Sequence, residues 1–360
     1  MMSKSGKKFV IMVNLFNYFL RSLFEPMLTF CNLKRDEVKT LDFLAADLHW
    51  DAPIEQFYVP YDNDPDSFFV GCLNDEPVCG IVLHNFGEHT SFIGYYIVKK
   101  EHRGKGYGKA IWDHAMKHAR ESIGLNAEMS AVDLYLKYGF KDVGKMGYVS
   151  FSRDLIQTIP NVHQNSNVNQ NSNVNQNSNV NQNSNVNHNS NVNQNSIKYE
   201  DLNEGKIEKN NENDFKFIRP LDFDKDFEKV VEYDSQCSPE PRYKYLKLLY
   251  ECPLNIIRFG YFEDGKLKGF AFLSDNEEGI CCLPLEADSP EIATKLLKYS
   301  FTKCESKSIT IIMPLYCETI TKWVEDNHGK IGDIGKFMTK NEFNIPCVEK
   351  AYGMTSIAFF

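Results

Sequence analysis

Apolar residues in the first half of the chain occur first in short runs and then at helical spacing, which predicts strands followed by a helix. The runs Phe68–Leu73 and Val78–Leu83 flank the polar residues 74–76 and predict a β-hairpin. The run Phe92–Val98 predicts a buried strand. From Tyr107 to about Arg120 the apolar residues recur at the period of an amphipathic helix.

A second helical pattern follows and ends at Gly139, where a glycine C-cap belongs, and Phe140 begins another strand. Between the two helices, the stretch Gly124–Asn126 is too short to predict a good strand. We therefore expect an irregular wall at this point.

The segment between the buried strand and the first helix has the sequence V-K-K-E-H-R-G-K-G-Y-G-K-A, from Val98 to Ala110. Its glycines allow a tight turn and a close approach of the backbone to a ligand. The first N–H groups of a helix have no intrahelical partner and lie at the positive end of its dipole. The segment also concentrates positive charge, at Lys99, Lys100, Arg103, Lys105 and Lys109. Together these features predict an anion site of the kind that holds a pyrophosphate.

Two nucleotide-binding motifs are excluded by the residues at their fixed positions. A dinucleotide fingerprint needs a third glycine where Lys109 stands, and a P-loop needs Ser or Thr after G-K, where Ala110 stands. A glycine turn with solvated lysines and no ligand is the structural alternative.

The loop resembles the acyl-CoA loop of the GNAT superfamily of N-acetyltransferases, [RQ]-x-x-G-x-[GA], at Arg103, Gly106 and Gly108, with Val98 five residues before the arginine. Thirty residues further on, A-V-D-L-Y-L-K-Y-G-F resembles the A-x-x-L-Y-x-K-x-G-F segment of the same superfamily. Glu128 departs from the family, which often has Asn there. The resemblance implies an α/β fold with a mixed sheet, the GNAT acyl-CoA-binding fold.

The resemblance also implies the residues of the site. Backbone N–H groups of the strand before the loop would hold the pantetheine arm and the thioester oxygen. Tyr135 would give a proton to the departing thiolate, and an ordinary pKa of ~10 keeps a phenol protonated for that role. An aromatic residue packed on the core face of its helix is the alternative for Tyr135. The implied acetyl-CoA-binding residues are Ile97, Val98, Arg103, Gly104, Lys105, Gly106, Tyr107, Gly108 and Lys109.

The residue that would take a proton from the incoming amine is not indicated by the sequence. Four candidates precede or border the loop: His84, Glu88, Tyr95 and Glu101. A structural or surface role explains each of them equally well.

The second half of the chain repeats the order of elements of the first. The predicted elements are a hairpin at Ile256–Tyr261 and Leu267–Leu273, an apolar run at Ile280–Leu285, a helix from Pro290 to about Cys304, a strand at Ser308–Met313, and a helix at Glu318–Asp326 capped by Gly329. The whole chain resembles a two-domain GNAT subfamily, in which a GNAT-like C-terminal domain follows the active one.

The phosphate loop is not repeated in the second half. Glu286 and Asp288 stand in its place, and two carboxylates there would repel a pyrophosphate. Counting back from Gly329 places Glu325 where the first half has its tyrosine. We expect the second half to be a degenerate domain that binds no cofactor. It would form one wall of the acceptor pocket, or else it would only bury an apolar face of the first domain. A chain ending near Asp154 is then expected to keep cofactor binding.

Charge and cysteine content restrict the functional class. The 49 acidic residues outnumber the 40 basic ones, which argues against bulk attraction to nucleic acid or to an anionic membrane. The ten cysteines show neither a C-x-x-C pair nor zinc-ligand spacing, so we expect no metal and a reduced, intracellular protein. The cytoplasm is the expected compartment, with mitochondria as the alternative.

Two segments stand apart from the domains. Residues 161–196 are six Asn-rich hexapeptides with one valine each, which cannot offset the entropy of an ordered backbone. In residues 9–24 one helical face is apolar, so an organellar presequence, a helix on a membrane surface and a packed extension all stay open. The expected organisation is an extension at 1–26, a catalytic GNAT domain at 27–158, a disordered linker at 159–214 and a GNAT-like domain at 215–360.

These observations favour an enzyme that transfers an acetyl or other acyl group from acetyl-CoA to an amine acceptor, by direct attack in a ternary complex. The acceptor is a small molecule or a protein, and the sequence names neither it nor the preferred acyl chain. The alternative is a catalytically silent CoA-binding or scaffold protein.

Overall fold

The computed structural model describes residues 27–46, 55–159, 215–252, 256–276, 279–344 and 347–355. We call the part before the gap at 160–214 the first half and the part after it the second half. The predictions for the N-terminal extension and for the Asn-rich repeats lie outside the described residues. Among the described residues, no helix has both the length and the apolar character needed to cross a membrane.

The elements of the first half alternate between strands and helices. In chain order they are β1 (Thr29–Asn32), α1 (Thr40–Ala45), α2 (Glu55–Asn63), β2 (Phe68–Leu73), β3 (Glu76–Phe86), β4 (Thr90–Val98), α3 (Tyr107–Ala115), β5 (Ser122–Glu128), α4 (Val132–Lys137), β6 (Lys141–Ser152) and α5 (Arg153–Thr158).

The second half repeats this order, except that a strand rather than a helix ends it. Its elements are β7 (Ile218–Pro220), α6 (Phe223–Asp234), α7 (Tyr243–Glu251), β8 (Ile256–Glu263), β9 (Lys266–Asn276), β10 (Gly279–Ala287), α8 (Pro290–Thr302), β11 (Ser308–Met313), α9 (Glu318–Asp326), β12 (Lys330–Lys340) and β13 (Ala351–Gly353).

All the strands belong to one mixed sheet in the order β1-β2-β3-β4-β5-β12-β6-β11-β10-β9-β8-β7, and β13 pairs with β10. The order is nearly symmetric about its centre, where the two halves exchange strands. β12 of the second half lies between β5 and β6 of the first half, and β6 in turn pairs with β11 of the second. Each half therefore completes the sheet of the other.

The exchanged strands also contribute to the core of the other half. Met338 of β12 is fully buried with Ile93 and Leu125 of the first half. Phe151 of β6 is fully buried in the second-half core, with its ring centroid 5.1 Å from that of Trp323. Burying one such side chain stabilises a fold by about 1.5–3 kcal/mol. The two halves are therefore expected to depend on each other for stability.

Most of the elements that the hydrophobic pattern predicts are confirmed, including both hairpins, the buried strand and the helix at Glu318–Asp326. Two predictions are wrong. The stretch around Gly124 is a regular seven-residue strand, β5, because β4 and β12 pair with its two edges. The first amphipathic helix ends at Ala115 rather than near Arg120, and a short 3₁₀ turn at Met116–His118 follows it.

Candidate active site

A bulge in β4 shifts the alternation of its side chains by one residue, so that Tyr95 faces α2 and Tyr96 faces α3. Ile81 of β3 lies opposite two residues of β4, Tyr95 and Tyr96, and Tyr95 has φ +47°. Residues other than glycine rarely adopt such a φ, and its cost is of order 1–3 kcal/mol. The Tyr95 ring packs 4.7 Å from Phe57 of α2, and the Tyr96 ring packs 5.3 Å from Trp112 of α3.

β4 and β5 run side by side only over their first residues. Their parallel register ends at the pair Ile93 and Leu125, although β4 continues to Val98 and β5 to Glu128. We call the gap between residues 94–98 of β4 and 126–128 of β5 the first slot. Because β12 pairs with the other edge of β5, the second half of the chain supports one wall of this slot.

The backbone of Val98 is directed into the first slot. The N–H of Lys99 donates to the carbonyl of Val78 on β3 at 3.0 Å. Since successive N–H groups of a strand point in opposite directions, the N–H of Val98 points towards the slot and that of Ile97 towards β3. Of the two strand residues predicted to bind acetyl-CoA, Val98 is therefore better placed than Ile97. Its carbonyl accepts a hydrogen bond from Arg103 Nε at 2.9 Å, which ties the loop to the end of β4.

The loop that follows β4 forms an open cradle at the N-terminus of α3. Gly104 and Gly106 have φ +75° and +87°, and a Cβ atom added at either would meet no atom within 4 Å. Gly106 is the N-cap of α3 and provides no side-chain acceptor for the N–H groups of the first turn. These N–H groups, the helix dipole and the open space suit a phosphate group.

Basic side chains surround this cradle, although not all of those that the sequence indicates. Lys99 is buried, and its Nζ pairs with Glu76 Oε1 of β3 at 2.9 Å, so Glu76 compensates its charge. Lys109 pairs with Asp113 one turn along α3. The exposed basic residues of the loop and of the first turn of α3 are Lys100, Arg103, Lys105 and Lys109.

A helix C-cap holds Tyr135 on the α3 side of the sheet. The N–H of Phe140 donates to the carbonyl of Tyr135 at 3.0 Å, and the N–H of Gly139 donates to that of Leu136 at 3.0 Å. With Gly139 at φ +85°, these two bonds form a Schellman motif that ends α4. The Tyr135 ring packs 6.0 Å from Trp112 and 5.9 Å from Phe140.

The surroundings of Tyr135 keep its phenol protonated. The residue is only 8% exposed, and burial raises its pKa above the ordinary value, with smaller contributions from Glu128 and Tyr138. Within the described residues, its hydroxyl has no hydrogen-bond partner. The phenol can therefore donate a proton to a group that enters the first slot. The aromatic contacts show that it also packs, so the two interpretations of Tyr135 are compatible.

Comparison with family models matches both halves of the chain. The Acetyltransferase (GNAT) family matches residues 37–140, and the Acetyltransferase (GNAT) domain matches residues 230–351. The chain belongs to the GNAT superfamily of acetyltransferases, and it contains two GNAT domains. Together the two matches include the first slot, the cradle, Tyr135 and most of the second half.

Two relatives align with parts of this GNAT chain. A holothin acyltransferase from Pseudoalteromonas sp. (strain SANK 73390) is 32% identical over 92 residues, 25% of this chain and 31% of that protein. An uncharacterized protein from Caenorhabditis elegans is 26% identical over 243 residues, 64% of this chain and 58% of that protein. The matches thus span about a third of the first relative and somewhat more than half of the second.

Solved structures share the fold of both halves. A putative acetyltransferase from Pyrococcus horikoshii has a TM-score of 0.64 at 16% identity, covering 92% of this chain and 96% of that one. A tandem GNAT protein from the clavulanic acid biosynthesis pathway has a TM-score of 0.55 at 13% identity, covering 87% and 98%. At these identities the likeness concerns the fold alone.

His84, one of the four candidate bases, is enclosed in the protein. It is fully buried, and its Nε2 lies 2.9 Å from Asn63 Nδ2. Burial lowers its pKa to about 3, and the positive charges of Lys244 and Arg242 lower it further. The burial and the lowered pKa of His84 favour a structural role over that of a general base.

The other three candidates lie in different places around the GNAT domain. Glu88 lies in the turn between β3 and β4, at the end of β4 remote from the cradle, and its N–H donates to Glu240 Oε2 at 2.8 Å. Glu101 is exposed in a short 3₁₀ helix beside the cradle. Tyr95 belongs to the bulge, but its ring packs on the α2 side. The geometry does not bring these residues together as a catalytic group.

Tyr96 borders the first slot and was not indicated by the sequence analysis. Its hydroxyl lies 2.9 Å from the position that a Cβ atom of Gly108 would occupy. The signal that could have found it is the pair Tyr95–Tyr96 within an apolar run, because two adjacent phenols cannot both face one side of a regular strand.

In the second half, the corresponding gap between β10 and β11 is filled by the chain itself. The strand β13 pairs antiparallel with the end of β10. On the β10 side, the N–H of Ala287 donates to the carbonyl of Lys350 at 3.0 Å, and on the β11 side the N–H of Met354 donates to the carbonyl of Ile312 at 2.8 Å. We call this gap the second slot.

The second half also lacks the cradle. Eight residues, 99–106, connect β4 to α3, whereas two residues, Asp288 and Ser289, connect β10 to α8. Ser289 is the N-cap of α8, and its side chain accepts a hydrogen bond from the N–H of Ile292. With Pro290 at the first position of α8, this helix start has fewer N–H groups for a phosphate than that of α3.

The carboxylates of this region do not have the role that the sequence suggested. Glu286 lies within β10, 2% exposed and 3.9 Å from the Arg242 side chain, which binds Asp234 at 2.7 Å. Asp288 Oδ1 is paired with Lys350 Nζ at 3.0 Å. The expectation that Glu286 and Asp288 together repel a phosphate is therefore wrong for Glu286, and the charge of Asp288 is compensated.

The position equivalent to Tyr135 also differs from the expected one. The N–H of Gly329 donates to the carbonyl of Val324 at 2.8 Å, and His328, at φ +55°, takes the left-handed position. His328 rather than Gly329 therefore corresponds to Gly139. Counting back by hydrogen bonds gives Val324 rather than Glu325, and the tyrosine is absent in either case.

Proposed function

We propose that the protein transfers an acetyl group from acetyl-CoA to an amine acceptor by direct attack in a ternary complex, and that the first half alone holds the cofactor. The observation that carries the proposal is the continuity of three features in the first half. The open cradle at Gly104 and Gly106 leads to the first slot, and the protonated phenol of Tyr135 lies on one side of it.

Residues of this chain fit each part of such a cofactor. The N–H groups at the start of α3, with Lys100, Lys105 and Arg103 around them, would hold the pyrophosphate. The pantetheine arm contains two amides and can pair with a strand edge. β13 supports this pairing from within the molecule, because a peptide segment pairs with β10 in the equivalent second slot.

The chemistry assigned to the site needs two groups of this chain. Acetyl-CoA would supply the acyl thioester and a thiolate leaving group. The N–H of Val98 would stabilise negative charge on the thioester oxygen, and one such donor is worth ~10²–10³ in rate. Once the amine has formed the C–N bond, Tyr135 would give its proton to the sulfur as the C–S bond breaks. The residue that accepts the proton of the amine is not assigned.

We further infer an intracellular protein that uses no metal. All ten cysteines lie among the described residues, as thiols rather than disulfides. Cysteines that do not form disulfides are typical of a reducing compartment. Among the described residues, no three His, Cys, Asp or Glu side chains are grouped as metal ligands.

The test is acetyl-CoA consumption by the full chain across a panel of amines and peptides, with calorimetry of acetyl-CoA in parallel. We expect binding and turnover with at least one acceptor. Binding without turnover for every acceptor would favour the silent CoA-binding alternative. If acetyl-CoA did not bind, both would be excluded.

A further inference from the structure

We propose that Tyr96 is a cofactor-binding residue, whose hydroxyl binds the pantetheine arm of CoA between the cradle and Tyr135. The inference rests on the proposed function, because it assigns a ligand contact within the same site. The bulge of β4 turns the side chain of Tyr96 to the face that carries α3 and α4, where Tyr135 also lies.

The position of the hydroxyl follows from its contact with α3. A Cβ atom at Gly108 would lie 2.9 Å from Tyr96 Oη and 3.6 Å from Cζ, so the hydroxyl lies against the first turn of α3. That turn begins directly after the cradle. The ring of Tyr96 packs 5.3 Å from Trp112, which also contacts Tyr135. The side chain of Tyr96 therefore reaches from β4 to the first turn of α3, next to the cradle, on the face of the sheet where Tyr135 lies.

The hydroxyl is available to a ligand. Within the described part of the chain, Tyr96 Oη has no hydrogen-bond partner, although the residue is half-buried. The oxygen itself keeps some exposure to solvent, so a ligand can reach it. Burial raises the pKa of Tyr96, with contributions from Tyr138 and Tyr135, so the group is a neutral phenol that can donate to an amide carbonyl.

The direct test measures the binding of two probes to full-length Tyr96→Phe by calorimetry. CoA carries the pantetheine arm, whereas adenosine 3′,5′-diphosphate lacks it. Loss of one neutral hydrogen bond should weaken CoA binding about two- to tenfold and leave binding of the adenosine probe unchanged. The control is Tyr138→Phe, because Tyr138 stacks on the same Trp112 at 4.8 Å but is not assigned to the ligand. It should bind both probes like the unaltered chain.

A second variant tests the same hydroxyl without removing it. The added methyl of Gly108→Ala would displace Tyr96 Oη, and we expect a similar loss of CoA affinity. In the double variant Tyr96→Phe with Gly108→Ala, the methyl meets a ring edge rather than a hydroxyl, so the two losses should not add. Thermal melting of each variant controls for folding.

Two results would overturn the inference. If the unaltered chain binds CoA and Tyr96→Phe binds it equally well, Tyr96 is only a packing residue and the proposed function stands. If the unaltered chain binds no CoA, the proposed function fails and this inference fails with it.

Discussion

The first and second slots show two outcomes of one fold. In the first half, β4 and β5 separate beyond Ile93 and leave a gap beside an eight-residue glycine loop. In the second half, the equivalent gap holds β13, and the connecting loop is only two residues long. The second half therefore differs from the first mainly in the length of this loop and in the strand that fills the gap, and less in its charge.

The same comparison explains why the second half still has a structural purpose. It gives β12 to the first half, and β12 supports the edge of β5 that walls the first slot. A chain ending near Asp154 would lose this strand and leave β5 and β6 without their shared partner. We expected such a fragment to keep cofactor binding. Because it would lose β12, it does not test cleanly where the cofactor binds, and full-length variants are needed.

The largest expected effect is the loss of the cradle. In Gly106→Glu, a side chain and a negative charge enter the open space at φ +87°, so acetyl-CoA binding should fall by more than about 100-fold. Calorimetry of the unaltered chain should give one equivalent of acetyl-CoA per chain, and the variant should give none.

The matched control for Gly106 lies in the other half. Gly265, in the turn between β8 and β9, has φ +75° and also has no atom within 4 Å of an added Cβ. Gly265→Glu introduces similar backbone strain and the same charge, yet it should bind acetyl-CoA normally. Two equivalents per chain in the unaltered protein would contradict our interpretation of the second slot.

The next effect is on catalysis in the first slot. Tyr135→Phe keeps the ring against Trp112 and Phe140 but removes the proton donor. We expect kcat to fall ~10–10⁴-fold, with little change in the affinity for acetyl-CoA. Steady-state kinetics with the best acceptor provides the measurement, and Tyr138→Phe is the control on the same helix end. An unchanged kcat, with chemistry shown to limit the rate, would remove Tyr135 from the mechanism.

The elements that the sequence predicts well are those set by local residues. The cradle follows from Gly104 and Gly106, because glycine takes positive φ at little cost, and the cap of α4 follows from Gly139 for the same reason. In α9 this logic fails, because His328, a residue that rarely takes positive φ, stands in the left-handed position. Counting back from the glycine therefore gives the residue that the cap hydrogen bonds select in the first half, and misses it by one residue in the second.

The features that could not be predicted depend on long-range pairing. The patterns of β6 and β12 show that each is a strand, but not which strand of the other half it pairs with. β13 has only three residues, Ala351–Gly353, and becomes a strand because the second slot offers two edges. His84 was considered as a base because the sequence does not show burial, and its enclosure depends on α7 of the second half.

A smaller effect concerns the boundary between the halves, where His84 packs 6.1 Å from Tyr245 of α7. Its pKa is lowered from 6.5 to about 3 in the folded protein, so the unfolded chain binds the proton first as the pH falls. Stability should therefore be full above pH 6.5 and decrease between pH 6.5 and about 3. Integrating the linkage gives a loss of about 2 kcal/mol at pH 5 relative to pH 8.

Urea unfolding at pH 8 and pH 5 measures this loss. His84→Gln removes the titrating group and keeps an acceptor for Asn63, so its unfolding free energy should change less between the two pH values. His89→Gln alters an exposed histidine nearby and should keep the pH dependence of the unaltered chain. Equal pH dependence in all three proteins would show that the boundary between the halves does not titrate at His84.

The smallest effect is expected for the segment that joins the two halves. The described residues at its two ends contact the same helix, α8. The carbonyl of Ile159 accepts a hydrogen bond from Lys298 Nζ at 2.6 Å, and the ring centroid of Phe215 lies 5.4 Å from that of Tyr299. Because the two ends lie close together, a shorter connection can still join them. Deleting residues 161–196 therefore only shortens a closed loop. The loop-closure cost changes by about 0.6 kcal/mol per halving, so the deletion should stabilise the protein by about 1 kcal/mol at most. Melting temperature and turnover should stay nearly unchanged, and a large loss of either would show that the repeats hold the two halves together.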